Sequence, residues 1–136
     1  MVVTLADRSA PITILIVDDE QELTTTLARI LEAAGHQTVI AESYDAAQRV
    51  LEAAVPDVLL VDVRLNDHNG LQIIAMAPMS VAAVVMTGHD DPVIRREAHR
   101  LGAAFLVKPI ESELLLSTID AQLAAIAPRT AGKRTQ

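Results

Sequence analysis

The sequence predicts an α/β domain built on one open, doubly wound parallel sheet. Short β-branched apolar runs, too brief for helices, alternate with stretches whose apolar residues recur at helical spacing. Five such strand–helix units follow in succession. Polar residues collect just past the strands, where an open parallel sheet binds its ligands. Strands that each return through a helix lie parallel, with right-handed crossovers and helices on both faces.

Ile12-Thr13-Ile14-Leu15-Ile16-Val17 stops at Asp18-Asp19 and reads as a strand buried on both faces. Leu23, Leu27, Ile30, Leu31 and Ala34 form a helical stripe closed by Gly35. Gln37 to Ala41 is the second strand. Ser43 caps a helix bearing Ala47, Val50, Leu51 and Ala54, and Pro56 ends it. Val58 to Val61 is the third strand, followed by Asp62 and a polar loop, Asn66-Asp67-His68-Asn69-Gly70. A short helix is expected over Leu71 to Ala77, before Pro78, and a fourth strand over Val81 to Met86, ending at Thr87-Gly88. Asp91 before Pro92 is a helix start; Ile94, Ala98 and Leu101 are that helix's stripe, and Gly102 closes it. Ala104 to Val107 is the fifth strand, ending at Lys108-Pro109, and the last helix carries Leu115, Ile119, Leu123 and Ile126.

Composition narrows the function. At 136 residues and 51% apolar content, the chain is the size of one domain and can bury a core without staples. The absence of cysteine excludes disulfides, thiolate metal sites and a cysteine nucleophile. A net charge of -7, one Tyr, one Phe and no Trp argue against nucleic acid as a direct partner. No apolar run approaches the ~20 residues of a membrane span, and the N-terminus lacks a signal peptide's basic start. A cytoplasmic protein is expected. Its core domain is expected over residues 12–127, after an N-terminal extension (1–11) and before a polar, basic tail (128–136) that reads as a frayed end or the start of a linker.

The strand ends hold the chemistry. Asp18-Asp19-Glu20, Asp62, Thr87 and Lys108 each follow or close a strand, so the fold brings them to one rim. Taken singly, Asp18 and Asp19 read equally well as helix caps, Asp62 as a loop carboxylate, Thr87 as an ordinary strand residue and Lys108 as a solvated loop lysine. Jointly, four polar residue types at four strand ends outweigh those readings.

The segments Ile14-Leu15-Ile16-Val17-Asp18-Asp19-Glu20, Leu59-Leu60-Val61-Asp62-Val63-Arg64-Leu65, Asn69-Gly70, Val84-Val85-Met86-Thr87-Gly88 and Phe105-Leu106-Val107-Lys108-Pro109 resemble, in this order and spacing, the receiver domain of two-component response regulators. The resemblance implies a flavodoxin-like fold, five strands in the order 2-1-3-4-5 with five helices. It implies that Asp62 accepts a phosphoryl group from a histidine kinase or a histidine phosphotransfer protein, in a phosphorelay. It implies a Mg²⁺ site in which Asp19 and Asp62 are direct ligands, Asp18 acts through water, and the backbone carbonyl of Arg64 completes the protein ligands. Three carboxylates cannot stay ionised together without cations; Lys108 and one divalent ion balance them. Thr87 and Lys108 would hold phosphoryl oxygens, and Gly88 leaves room for the group to enter. Thr87 and Phe105 match the family's switch residues, although Phe105 alone reads as a core aromatic. The face of the fourth helix, fifth strand and fifth helix would be the output surface and a possible homodimer contact.

Three departures from the family pattern stand out. Asn66 replaces a usual Pro, Asn69 a usual Asp, and the segment between Gly70 and Thr87 is short, which trims the third helix or its loop. His89, two residues past Thr87, lies near the phosphoryl entry. Two other functions compete with the switch: a binding module indifferent to phosphate, and a phosphohydrolase with an aspartyl intermediate. The full acceptor, metal, Thr and Lys set argues against the first. The second expects its nucleophile at the end of the first strand with an Asp two residues on, where this chain has Glu20. The switch reading makes the protein a non-enzyme whose own chemistry is self-phosphorylation and slow autodephosphorylation.

Overall fold

The computed structural model describes residues 11–66 and 68–135, with side chains through residue 126. Its main sheet has strands β1 (Thr13–Val17), β2 (Gln37–Ala41), β3 (Val58–Asp62), β6 (Ala82–Thr87) and β7 (Ala104–Val107). They lie in the order β2-β1-β3-β6-β7, every pairing parallel. Counting only these strands, this is the expected order 2-1-3-4-5. The helices are α1 (Gln21–Ala33), α2 (Tyr44–Ala53), α3 (Leu71–Met76), α4 (Pro92–Arg100) and α5 (Ser112–Thr135).

Strand alternation splits the core in two. Ile14, Ile16, Leu60, Val84 and Met86 point to one face, where Leu27 and Leu31 of α1 and Leu115 and Ile119 of α5 cover them. Leu15, Val17, Leu59, Val61 and Val85 point to the other, against Ala47 of α2, Ile73 of α3 and Ala98 of α4. Both faces of the central strands are buried, which is why their sequences read as continuous apolar runs rather than alternating ones.

Local signals place the helix ends. The Ser43 hydroxyl accepts from Ala46 N–H at 3.1 Å, and Asp91 Oδ1 accepts from Val93 N–H at 2.9 Å ahead of Pro92. Gly35 closes α1 at φ 96°, the left-handed conformation that favours glycine. The helix after β1 has Glu20 as its N-cap, without a side-chain cap. Asp18 instead accepts the Glu20 N–H at 2.9 Å, and Asp19 is exposed, so neither is an ordinary cap.

The polar loop after β3 is more regular than its composition implies. Arg64–Leu65 (β4) and His68–Asn69 (β5) pair as a small antiparallel ribbon. Asn66 stands at φ 53°, which asparagine tolerates in a tight turn and which proline, locked near -65°, cannot adopt. The missing proline is thus a requirement of the ribbon. The His68 ring stacks on Tyr44 of α2, centroids 4.4 Å apart, and pins the ribbon to the domain. The helix after it, α3, has only 6 residues, the trimming expected from the short segment.

At its C-terminal end α5 does not stop at Pro128; its backbone is helical to Thr135. Pro128 removes one helical hydrogen bond and crowds the preceding turn, a penalty confined to that turn, and the alanines on either side are strong helix formers. The N-terminal extension expected over residues 1–11 lies, except for Pro11, outside the described residues.

Gly70 shows a constraint that composition hides. Its N–H donates to the Val63 carbonyl at 2.6 Å, and a Cβ there would run into the Asp62 carbonyl and the Val61 side chain. Gly70 is therefore fixed by close approach to the end of β3. Gly70→Ala is expected to destabilise the fold by about 1–3 kcal/mol, the cost of overpacking a close-packed site; urea unfolding at neutral pH measures it, and an unchanged midpoint contradicts it.

Candidate functional site: an acidic pocket at the strand ends

The sheet order reverses beside β1, whose neighbours are β2 and β3, and such a switch point opens a crevice at the carboxyl ends of the strands. Val17 pairs with Val61, so Asp18 and Asp62 leave adjacent strands side by side. Asp18 is fully buried, Asp62 is 7% exposed and Thr87 is 5% exposed. Asp19 is exposed at the rim. Carboxylate oxygens of Asp18, Asp19 and Asp62 all lie within 4.8 Å of one another.

Lys108 reaches this cluster from the end of β7. Its Nζ is 3.0 Å from Asp18 Oδ2, 3.3 Å from Asp62 Oδ2 and 3.9 Å from Glu20 Oε1. The Lys108 N–H donates to the Thr87 carbonyl at 2.7 Å, which fixes the backbone from which the side chain reaches. Thr87 Oγ1 accepts from His89 N–H at 3.2 Å, which leaves its own hydroxyl hydrogen free to donate elsewhere. Arg64 N–H lies 3.4 Å from Asp62 Oδ1. Glu20, Asp62, Arg64, Gly88, His89 and Lys108 line an open cavity of about 360 Å³. A Cβ on Gly88 would meet nothing within 4 Å, so packing does not demand this glycine and the space beside it is open to a ligand.

The electrostatics follow from crowding. Burial, and next the Asp18 charge, push the Asp62 carboxyl above its ordinary value, while Lys108 and the Arg64 N–H oppose them. For Lys108, burial acts to lower the value, but the hydrogen bond to Asp18 and the charges of Asp62 and Asp18 outweigh it, so the ammonium is held charged. Three carboxylates against one ammonium leave a negative excess.

Of the site residues expected from the sequence, Asp18, Asp19, Asp62, Arg64, Thr87 and Lys108 lie at or beside this rim and Phe105 does not. It lies on β7 opposite Val85, half-buried, away from the carboxylates but on the sheet face that Thr87 shares. Two neighbours went unassigned in the sequence: Glu20, which faces Lys108, and Gly70, which backs Asp62. The Asp18-Asp19-Glu20 run carried a signal for the first, and the Asn69-Gly70 pair marked the second without showing what it packs against.

Comparison with known proteins agrees with this geometry. The family model described as the response regulator receiver domain matches residues 14–120. The photosynthetic apparatus regulatory protein RegA of Rhodobacter capsulatus is 33% identical over 127 residues, covering 90% of this chain and 67% of RegA. Protein PilH of Pseudomonas aeruginosa is 32% identical over 82% of this chain and 97% of PilH. The chain spans only 24–53% of five further curated relatives, each named a transcriptional regulatory protein. Among solved structures, a Burkholderia pseudomallei response regulator described with a phosphorylated aspartic acid, a calcium ion and citrate superposes with a TM-score of 0.75 at 27% identity, covering 89% of this chain and 74% of that one. A receiver domain from Methanospirillum hungatei shares the fold, with a TM-score of 0.80 at 24% identity, 88% of this chain and 99% of that one.

The chain belongs to the response regulator receiver domain family, the phosphoacceptor module of two-component signal transduction. Receiver domains bind Mg²⁺ in such an acidic pocket and work with histidine kinases or phosphotransfer proteins, and the relatives of this chain are regulators. Among the described residues, no helix is long and apolar enough to cross a membrane.

The raised Asp62 carboxyl has a consequence for stability. It holds its proton more tightly folded than unfolded, so its ionisation costs the fold stability at neutral pH. That cost is absent below the unfolded value of about 3.9 and grows as pH rises through the folded one. Without added metal, Asp62→Asn is expected to unfold at higher urea than the wild type at pH 7, the gap closing as pH falls below about 4. A less stable variant at pH 7 contradicts this.

Proposed function

We propose that this receiver domain accepts a phosphoryl group on Asp62, in a reaction that needs Mg²⁺, and that the phosphate is read through Thr87 and Phe105. The observation that carries this is the crowding of Asp62 with Asp18 and Asp19 around the Lys108 ammonium, beside open space at Gly88.

The donor set is all oxygen and highly charged, which suits a hard divalent ion such as Mg²⁺. Asp19 and Asp62 would hold it directly, Asp18 through water, and the Arg64 backbone carbonyl would be the third protein ligand. A bound divalent ion would supply positive charge to offset the carboxylates and the incoming phosphoryl oxygens. A carboxylate oxygen of Asp62 then forms a bond to phosphorus as the donor's P–N bond breaks, and the donor imidazole leaves with the electron pair and takes up a proton. Lys108 trades part of its hold on Asp62 for a phosphoryl oxygen, and the free Thr87 hydroxyl hydrogen turns to another. His89 lines the same cavity as Asp62 and Lys108.

The donor in this reading is a histidine kinase or a histidine phosphotransfer protein, and the domain is no enzyme beyond its own phosphorylation and slow dephosphorylation. It is cytoplasmic, with no direct contact to nucleic acid or membrane. Residues 12–127 are the receiver, after an N-terminal extension (1–11) and before a basic stretch (128–136) that is a tail or the start of a linker. Val93, Val107 and Leu114 are exposed apolar side chains on α4, β7 and α5, which supports that face as the output surface and a homodimer contact.

Phosphorylation with a small phosphodonor and Mg²⁺, read by intact mass, is expected to add one phosphoryl group to the wild type and none to Asp62→Asn. Full labelling of the Asn variant contradicts the assignment. In a Mg²⁺ titration followed by thermal unfolding, the wild type is expected to gain stability with the ion, and Asp19→Ala to lose at least ten-fold in apparent affinity. Equal responses would remove Asp19 from the ion site.

A further inference from the structure

Phe105 is held by a group outside the phosphoryl site. The guanidinium carbon of Arg95, on α4, lies 4.5 Å from the centroid of its ring. Arg95 is itself held: Nη2 and Nε lie 2.9 and 3.2 Å from Asp90 Oδ1. Asp90 belongs to the loop Gly88-His89-Asp90 that follows Thr87, and the His89 N–H in that loop donates to the Thr87 hydroxyl. The contacts thus run from Thr87 through its loop to Asp90, Arg95 and Phe105. Both ends share one face of the sheet, since Phe105 pairs with Val85, two residues before Thr87. Beside the ring a groove of about 570 Å³ opens between α4 and β7, lined by Arg95, Arg96, His99, Ala104 and Phe105 among others.

We propose that Arg95 is a positioning residue for Phe105: clamped by Asp90, it holds the half-buried ring against its guanidinium until the Thr87 loop moves. The proposal rests on the phosphoryl-switch reading of Asp62, Thr87 and Phe105. An exposed ion pair alone contributes little, and Arg95 and Asp90 are both more than half exposed. What the pair supplies is orientation, because a planar guanidinium can stack on an aromatic face while its edge is hydrogen-bonded. Turning Phe105 inward, toward the space that Thr87 leaves, takes the ring from under the guanidinium. Drawing the loop toward a phosphate pulls on Asp90 and loosens the same clamp. Arg95 therefore favours the unphosphorylated arrangement. Any group that does so weakens the binding of a phosphoryl mimic by the same factor that the mimic weakens the clamp.

The test is beryllofluoride binding in the presence of Mg²⁺, followed by NMR, for the wild type, Arg95→Ala, Arg95→Lys and Asp90→Asn. Arg95→Ala is expected to bind beryllofluoride about two- to five-fold more tightly, the factor a surface cation–π contact represents. Asp90→Asn should shift in the same direction, and Arg95→Lys should fall between Arg95→Ala and the wild type. Without the mimic, the Phe105 ring signals of Arg95→Ala should already lie part of the way toward their position in the mimic-bound wild type. Were Arg95 merely surface packing, its loss would lower thermal stability and leave beryllofluoride affinity unchanged; unchanged or weaker binding overturns the proposal. A wild type that binds no beryllofluoride at Asp62 overturns the phosphoryl reading itself and the clamp with it, whereas wild-type binding with an indifferent Arg95→Ala overturns the clamp alone.

Discussion

One ammonium group holds the acidic rim together. Lys108 Nζ bridges the fully buried Asp18 and the nearly buried Asp62 at 3.0 and 3.3 Å, carrying charge complementarity across 90 residues of sequence. Removing one partner of a buried pair strands the other charge and is far costlier than the pair's net worth. Here the pair is also incomplete, since one cation faces several carboxylates. The site is poised for additional positive charge on one side and for a phosphoryl group on the other, and Lys108 is the group that both additions rearrange.

The sheet makes this arrangement possible. Parallel order puts Asp18, Asp62, Thr87 and Lys108, each at or just past the end of a different strand, on one rim without any long-range search by loops. Burial of both sheet faces keeps those strands rigid, so the rim groups keep their spacing. The cost of crowding appears at Asp62, whose carboxyl is pushed upward by burial and by Asp18. Destabilisation concentrated at a functional group is the expected signature of a site that acts on a ligand rather than one that serves the fold.

Much of this was legible in the sequence because its causes are local. Doubly buried strands leave β-branched runs, and their ends are marked by the first charge. Ser43, Asp91-Pro92 and Gly35 announce helix ends through hydrogen bonds to residues a few positions away. Asp18, Asp62, Thr87 and Lys108 were found through position on a predicted sheet. What escaped depends on contacts between distant segments. Gly70 is constrained by the carbonyl of Asp62. The ribbon around Asn66 is anchored by the His68–Tyr44 stack. Gln122 of α5 donates to the carbonyls of both Ala83 and Gly102, at 2.9 Å each, tying the helix to two loops or strands that its own sequence does not name. Asp18 and Asp19, taken singly, read equally well as helix caps; in the structure Asp18 accepts from the Glu20 N–H and from the Lys108 ammonium.

Lys108 is a charged bridge between Asp18 and Asp62, and NMR of the lysine side-chain nitrogen tests this most directly. Without metal, the Lys108 ammonium should titrate above the free-lysine value of about 10.4. Its signal should move when Mg²⁺ and beryllofluoride are added together. A Lys108 that titrates at or below the free value, and whose signal ignores both additions, would contradict the account.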